Sequence, residues 1–268
     1  MLELNRIYNM DCVNGLRLLD DECVDLTVTS PPYDNLRHYK GFSFNFEEMA
    51  KELYRVTKKG GCVVWVVNDA TIRGSETGTS FRQALYFKQI GFLLNDTMIY
   101  AKDSCPYPET VRYYPSFEYM FVFSKGRPKT VNLIKDKPNK NCGDKITGTE
   151  RKPDGSIKRM AAIRNKTGRV IRPYGVRLNI WKYKMGYMKS TTDKIAYKHP
   201  AIFPEQLAHD HIISWSNEGD LILDPFSGAG TTAKMAMLAN RRFIGFEISA
   251  EYCDIAKQRL EGICEISP

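Results

Sequence analysis

The chain has 268 residues, 43% hydrophobic and 12% aromatic, enough to bury the core of one large domain or of a catalytic domain with an insertion. That composition excludes a disordered or fibrous chain, and no apolar run approaches the ~20 residues of a membrane span. The formal net charge is +8, but residues 125–198 hold 21 Lys and Arg against five acids, while the remainder of the chain is net acidic. Such asymmetry points to a polyanion-binding insertion on an ordinary enzyme body, with a solvated basic loop as the plainer alternative. The seven cysteines are scattered, odd in number and without a CxxC pair, which argues against both a disulfide framework and a zinc site. His209 and His211 stand two apart, not at a helical metal-binding spacing. A metal-free protein is expected, and the N-terminal MLELNRIYNMD, which has no signal-peptide pattern, suggests a cytoplasmic one.

In chain order, Val24–Thr29 is a β-branched run stopped by Pro31-Pro32, as expected of a buried parallel strand ending at a loop. Phe46, Met49, Ala50, Leu53 and Val56 share helical spacing, and Lys59-Gly60-Gly61 is expected to end that helix. Residues 62–67 (CVVWVV) form a continuous apolar strand of the kind covered on both faces. A helix is expected over 80–90 and strands over 95–101 and 118–124. Strands alternating with helices imply a mostly parallel α/β sheet.

After Lys125 the periodicity collapses. Residues 135–172 are rich in Lys, Asn, Gly and Pro, and aromatics return at Tyr174, Trp181, Tyr183, Tyr187 and Tyr197 among basic side chains. The expected division is therefore 1–124, a mostly irregular basic recognition region over 125–198, and 199–268. In the last part, helices are expected at 204–214, 231–239 and 250–261, with strands at 221–223 and 242–248.

The segment Asp224-Pro-Phe-Ser-Gly-Ala-Gly-Thr-Thr-Ala233 carries GxGxxA between a strand and a helix. Its glycines permit positive φ and close backbone approach to a ligand. Glu247 ends the next strand, 19 residues beyond Gly228, where a carboxylate can accept from two ribose hydroxyls. Together these indicate a nucleoside cofactor; the loop alone could be a tight strand-to-helix turn. A dinucleotide would place its pyrophosphate on the helix N-terminus, but Asp224 would repel a phosphate and suits the ammonium of a methionine moiety.

Thr29-Ser-Pro-Pro-Tyr33 follows a strand, where open α/β sheets hold their ligands. Two prolines stiffen the turn and remove two N–H donors, so carbonyl oxygens face the site as unopposed acceptors. The Ser30 hydroxyl adds another, a set suited to an exocyclic amino group, and Tyr33 offers a face for an extruded base. An ordinary proline-terminated strand with a core tyrosine would carry the same five residues.

Thr29–Tyr33 resembles the (D/N/S)-PP-(Y/F/W) motif of amino-group DNA methyltransferases, and residues 224–232 resemble their S-adenosyl-L-methionine loop. The catalytic motif precedes the cofactor loop with a basic region between, an order similar to the β class. The resemblance implies a circularly permuted Rossmann-like, S-adenosylmethionine-dependent methyltransferase fold with a basic target-recognition insertion. It implies that Ser30, Pro31 and Pro32 hold the target amino group and that Tyr33 stacks on the flipped base. It further implies that Phe226, Ser227, Gly228, Gly230 and Thr231 wrap the methionine part beside Asp224, with Glu247 on the ribose. Asp11 would lie near the cofactor adenine, and residues 198–205, with Pro200, would close over the methionine end. Asp11 read alone is equally a helix cap, and His199-Pro200 a loop. Lys182 and Lys184, flanking Tyr183, are expected to contact DNA.

Methyl transfer to an amino nitrogen needs alignment and hydrogen-bond acceptance rather than a covalent enzyme intermediate, and the absence of a Pro-Cys pair argues against cytosine-C5 chemistry. Serine at the first motif position is commoner in relatives making N4-methylcytosine, so N4 of cytosine in double-stranded DNA is the expected target, with N6 of adenine as the alternative. A dinucleotide oxidoreductase would leave Thr29–Tyr33 and the basic region idle. Methylation of RNA or of a protein glutamine uses similar chemistry, but the basic region favours DNA. A cognate restriction endonuclease would be a natural partner.

Overall fold

The computed structural model describes residues 2–32, 45–103, 110–145, 149–159 and 170–264. Two compact units divide the chain: Met1–Asn132 with Asn179–Pro268, and Leu133–Leu178.

The larger unit is built on one eight-stranded sheet. Its strands are β1 (Arg6–Asn9), β2 (Val24–Thr29), β3 (Thr57–Val67), β4 (Leu93–Lys102), β5 (Phe117–Ser124), β6 (Ile180–Tyr183), β7 (Leu221–Asp224) and β8 (Arg242–Glu247). They lie in the order β1-β8-β7-β2-β3-β5-β4-β6. Within this sheet β5 runs against its neighbours, and the other seven strands are mutually parallel. The expected mostly parallel sheet is present, and Asn9, Thr29, Lys102, Asp224 and Glu247 all reach the same edge, where parallel α/β sheets hold ligands.

Among the described residues, six α-helices accompany the sheet: α1 (Cys12–Arg17), α2 (Phe46–Val56), α3 (Thr79–Gln89), α4 (Glu205–Trp215), α5 (Thr231–Leu238) and α6 (Ala250–Cys264). Alternation along β3 sorts them. Val63, Trp65 and Val67 join one core with Leu16 of α1, Leu53 of α2 and Phe87 of α3. Val64 and Val66 are equally buried but point to the opposite face. There His211 of α4 reaches the Met120 sulfur at 3.2 Å, and Thr232 of α5 donates to the Val28 carbonyl at 3.1 Å. Cover on both faces explains the uninterrupted apolar run of β3. Trp65 can be buried because its indole N–H donates to Gln83 at 2.9 Å. No helix among the described residues is long and apolar enough to cross a membrane.

One boundary differs from expectation. Helix α2 ends at Thr57, whose N–H donates to Leu53 and whose residue already pairs with Val24. Lys59-Gly60-Gly61 therefore lies inside β3, not after the helix. The glycines serve close packing: a Cβ on Gly61 would stand 2.9 Å from the Asp25 carbonyl, and Gly60 has φ +80°.

Leu133–Leu178 has no buried residue among those described. It is held by short antiparallel pairings, Lys137–Pro138 with Tyr174–Gly175 and Thr149–Arg151 with Ile157–Arg159, and by the Asp136–Arg177 ion pair. Residues 179–198 group instead with the larger unit. Aromatics and lysines alternate in Trp181-Lys182-Tyr183-Lys184 because Trp181 and Tyr183 are buried and the lysines exposed, the period of a half-buried strand.

Candidate active site

The cofactor-type loop joins β7 to α5. Gly228 and Gly230 take positive φ, +49° and +74°, and a Cβ on Gly228 would stand 3.0 Å from His199 Nε2. The loop is pinned to β8 by Ser227 N–H donating to the Phe246 carbonyl at 2.9 Å. That close approach requires Gly245, where a Cβ would collide with the Ser227 hydroxyl. The sequence does not single out Gly245, since the GxGxxA pattern does not extend into β8.

Glu247 closes β8. Its carboxylate accepts from Gly228 N–H and Ser249 N–H, each at 2.8 Å, which fixes its plane; with about four lone-pair sites it can still accept from two vicinal hydroxyls. Burial pushes its pKa up, opposed by the backbone N–H groups. Asp11 caps α1, accepting from Val13 and Asn14 N–H at 2.9 and 3.0 Å, and also lines the cavity. The cap and ligand readings are therefore compatible.

Asp224 lies at the end of β7, 6% exposed. It accepts from the Thr29 hydroxyl at 2.6 Å and from Phe226 N–H at 3.1 Å. Burial raises its pKa to about 6, against the lowering effect of these bonds, so at neutral pH it is mainly a desolvated anion. Ser30 and Pro32 line the same cavity, whereas Pro31 is buried behind it. Tyr33 lies outside the described residues.

The segment before α4 supplies another wall. His199, Ala201, Phe203 and Pro204 line the cavity; Pro200 is exposed and does not. The His199 ring sits 4.4 Å from that of Tyr252, and its Nδ1 contacts the Ala201 carbonyl at 2.7 Å. A charge network braces this segment. Arg259, whose side chain is fully buried, donates to Asp193 at 2.9 Å and to Glu205 at 2.7 Å. The same guanidinium reaches the Ala229 carbonyl at 2.5 Å, and Lys234 pairs with both acids at 2.8 Å. Two cations thus balance two carboxylates, the condition under which burial of charge is tolerated. None of the four stands out in the sequence, because they are spread over 67 positions, from 193 to 259.

These elements enclose a cavity of about 180 Å³. Of the residues singled out, it gathers Asp11, Ser30, Pro32, Asp224, Phe226, Ser227, Gly228, Thr231 and Glu247. Gly230 shapes the loop without lining it, while Lys182 and Lys184 line a separate shallow groove with Lys189. Asp11, Glu118, Asp224 and Glu247 all line the cavity, and with Lys102 paired to Glu118 the net negative lining disfavours a phosphate-bearing dinucleotide and suits a cationic ligand carrying ribose hydroxyls. Burial pushes the lining thiol of Cys12 up to about 12, so no thiolate nucleophile is supplied there.

Known proteins agree with this chemistry. The DNA methylase family model matches residues 24–258. The orphan methyltransferase M.BamHII of Bacillus amyloliquefaciens is 62% identical over 245 residues, covering 91% of each chain. TTHA0409 of Thermus thermophilus, crystallised with S-adenosyl-L-methionine, superposes with a TM-score of 0.64 at 25% identity, over 96% of this chain and 93% of that one. The PvuII cytosine-N4-specific DNA methyltransferase shares the fold, with a TM-score of 0.68 at 19% identity over 97% and 90%. The methyl donor is S-adenosylmethionine. The chain belongs to the N6/N4 DNA methylase family and is a sequence-specific DNA methyltransferase.

Proposed function

We propose that the protein methylates N4 of cytosine within a short recognition sequence of double-stranded DNA. The observation that carries this reading is the position of Ser30. It follows Thr29, which is clamped to Asp224, and its neutral side chain lines the cofactor cavity.

S-adenosylmethionine supplies an electrophilic methyl on a positively charged sulfur. The chain's residues hold and orient both reactants. Glu247 would accept from the ribose hydroxyls, Asp11 would lie toward the adenine end, and Asp224 would hold the methionine ammonium. Phe226, Ser227, Gly228 and Thr231 surround the methionine part, with Gly230 giving the loop its turn. The Ser30 hydroxyl and the carbonyls of the Pro31-Pro32 turn, of which Pro32 lines the cavity, accept the amino hydrogens of the base, localise its lone pair and align it with the methyl. The proton that the amino nitrogen then releases leaves by way of the Ser30 hydroxyl to solvent. Tyr33, three residues after Ser30, would stack on the flipped ring.

DNA is engaged by the basic unit 133–178 and by Lys182 and Lys184. The likeness to an orphan methyltransferase supports action without a dedicated endonuclease.

The test is purified protein, S-adenosylmethionine carrying a labelled methyl, and unmethylated duplex DNA, followed by mass spectrometry of the nucleosides. N4-methylcytosine is the expected product. N6-methyladenine alone would overturn the base assignment and leave the amino-group chemistry in place.

A further inference from the structure

The cavity extends beyond the part that the cofactor chemistry uses. Its far wall is Tyr100, Lys102, Glu118 and Met185, none of which belongs to either sequence motif. Tyr100 pairs directly with Glu118 across β4 and β5. Lys102, two residues on, therefore lies on the same face, diagonal to Glu118. Lys102 Nζ and Glu118 Oε1 are 2.7 Å apart, with the two side chains only 16% and 14% exposed. The wall is rigid: Lys102 N–H donates to Ser116 at 2.7 Å, and the Tyr100 ring rests 5.9 Å from that of Tyr183, whose hydroxyl donates to the buried Asp210 at 2.8 Å.

A largely buried ion pair is weak evidence of a stability role, since desolvation offsets much of its attraction. Its place along the sheet edge gives it another use. The strands order the edge as Asn9 and Glu247, then Asp224, then Thr29 leading to Ser30, and beyond β3 the Glu118 and Lys102 pair. Cofactor-facing carboxylates lie on one side of Ser30 and this pair on the other. A ring whose amino group is held at Ser30 needs room on the side away from the donor, and the cavity lining on that side of the sheet edge includes Lys102. An ammonium has three N–H donors, and Glu118 engages one.

We propose that Lys102, oriented by Glu118, reads the flipped base by donating to the unprotonated ring nitrogen beside the amino-bearing carbon, N3 of cytosine or N1 of adenine. This assignment rests on the amino-group reading above and holds for either base. Glu118 is a positioning residue, since it acts through Lys102. The nearby Tyr100 phenol stays neutral, because burial and Glu118 raise its pKa, and so supplies a polar but uncharged wall.

The experiment uses the full chain, with its target site mapped first by sequencing of methylated DNA. Duplex oligonucleotides then carry that site with either the normal target base or the deaza analogue in which the ring nitrogen is C–H. Single-turnover methyl transfer and cofactor affinity are measured for wild type, Lys102→Met and Lys102→Arg. Lys102→Met should lower kcat/KM for the normal duplex about tenfold or more, as expected for losing a charged donor, with cofactor affinity unchanged. The deaza substitution should penalise wild type to a similar degree, penalise Lys102→Met little, and spare part of the activity of Lys102→Arg. Equal deaza penalties in wild type and Lys102→Met, or no penalty in wild type, would overturn the assignment. If Lys102→Met does not fold, comparison of wild type with Lys102→Arg and Glu118→Gln completes the same cycle. Wild type that methylates no base at all would instead remove the underlying amino-group reading.

Discussion

The Thr29 hydroxyl donates to the Asp224 carboxylate across 2.6 Å, joining residues 195 apart in the chain. Thr29 is the last residue of β2 before Ser30, and Asp224 the last of β7 before the glycine loop. Because β2 and β7 are neighbours in the sheet, one hydrogen bond ties the turn that begins at Ser30 to the glycine loop that begins after Asp224. It also holds Asp224 in the charged form that burial opposes.

Asp224→Asn should weaken S-adenosylmethionine binding while stabilising the apoprotein above pH 6. The folded pKa of about 6 exceeds the ordinary 3.8, so the folded state keeps this proton to higher pH than the unfolded state. Below about pH 4 the group has no effect on stability. As pH rises through the interval to 6 the folded protein loses stability, on the order of 2–3 kcal/mol. Thermal melts of apo wild type and Asp224→Asn across pH 4 to 8 should diverge over that interval. Parallel curves would mean that Asp224 is not held as an isolated buried anion.

Glu247→Gln should reduce cofactor affinity by at least about tenfold, the usual cost of losing charge-assisted bonds. The amide can accept on one side only, so either Gly228 N–H or Ser249 N–H would face a donor. Titration calorimetry with S-adenosylmethionine and its demethylated product measures this directly. Unchanged affinity would make Glu247 a brace for the loop rather than a ribose ligand.

Arg259→Met should be among the most damaging single changes outside the cavity lining. It leaves Asp193 and Glu205 sharing Lys234 alone and frees the Ala229 carbonyl. Removing one partner of a buried charge network costs about 3–5 kcal/mol, so denaturant unfolding should show a loss of that size. A coupled rise in KM for the methyl donor is expected, with partial recovery in Arg259→Lys. Near-wild-type stability would mean that the network is dispensable.

Charge reversal at Lys182 and Lys184 should weaken DNA binding and flatten its dependence on salt, because each neutralised phosphate releases condensed counterions. Both side chains are exposed beside a groove that also contains Lys189, and neither lines the cofactor cavity. Cofactor affinity should therefore stay constant. Fluorescence anisotropy with duplex DNA over a salt series reads both quantities, and an unaltered slope would place the phosphate contacts elsewhere.

What the sequence by itself determined is local. The apolar run of β3, the helical spacing of α2 and the glycine turn before α5 follow from side-chain period and backbone permission, which operate over a few residues. The strand ends at Thr29 and Glu247 are legible for the same reason. Tertiary structure alone decided what those segments meet. It made Trp181 and Tyr183 the inward side of a sheet strand within a stretch that reads as basic and irregular, and it put Gly60 and Gly61 inside β3, where packing against Asp25 overrides their usual role as helix terminators. It also brought Arg259 to Ala229, and Lys102 to Glu118 along the sheet edge at which Asp224 and Thr29 end. Such contacts depend on strand order and register, which long-range packing sets and no local pattern encodes.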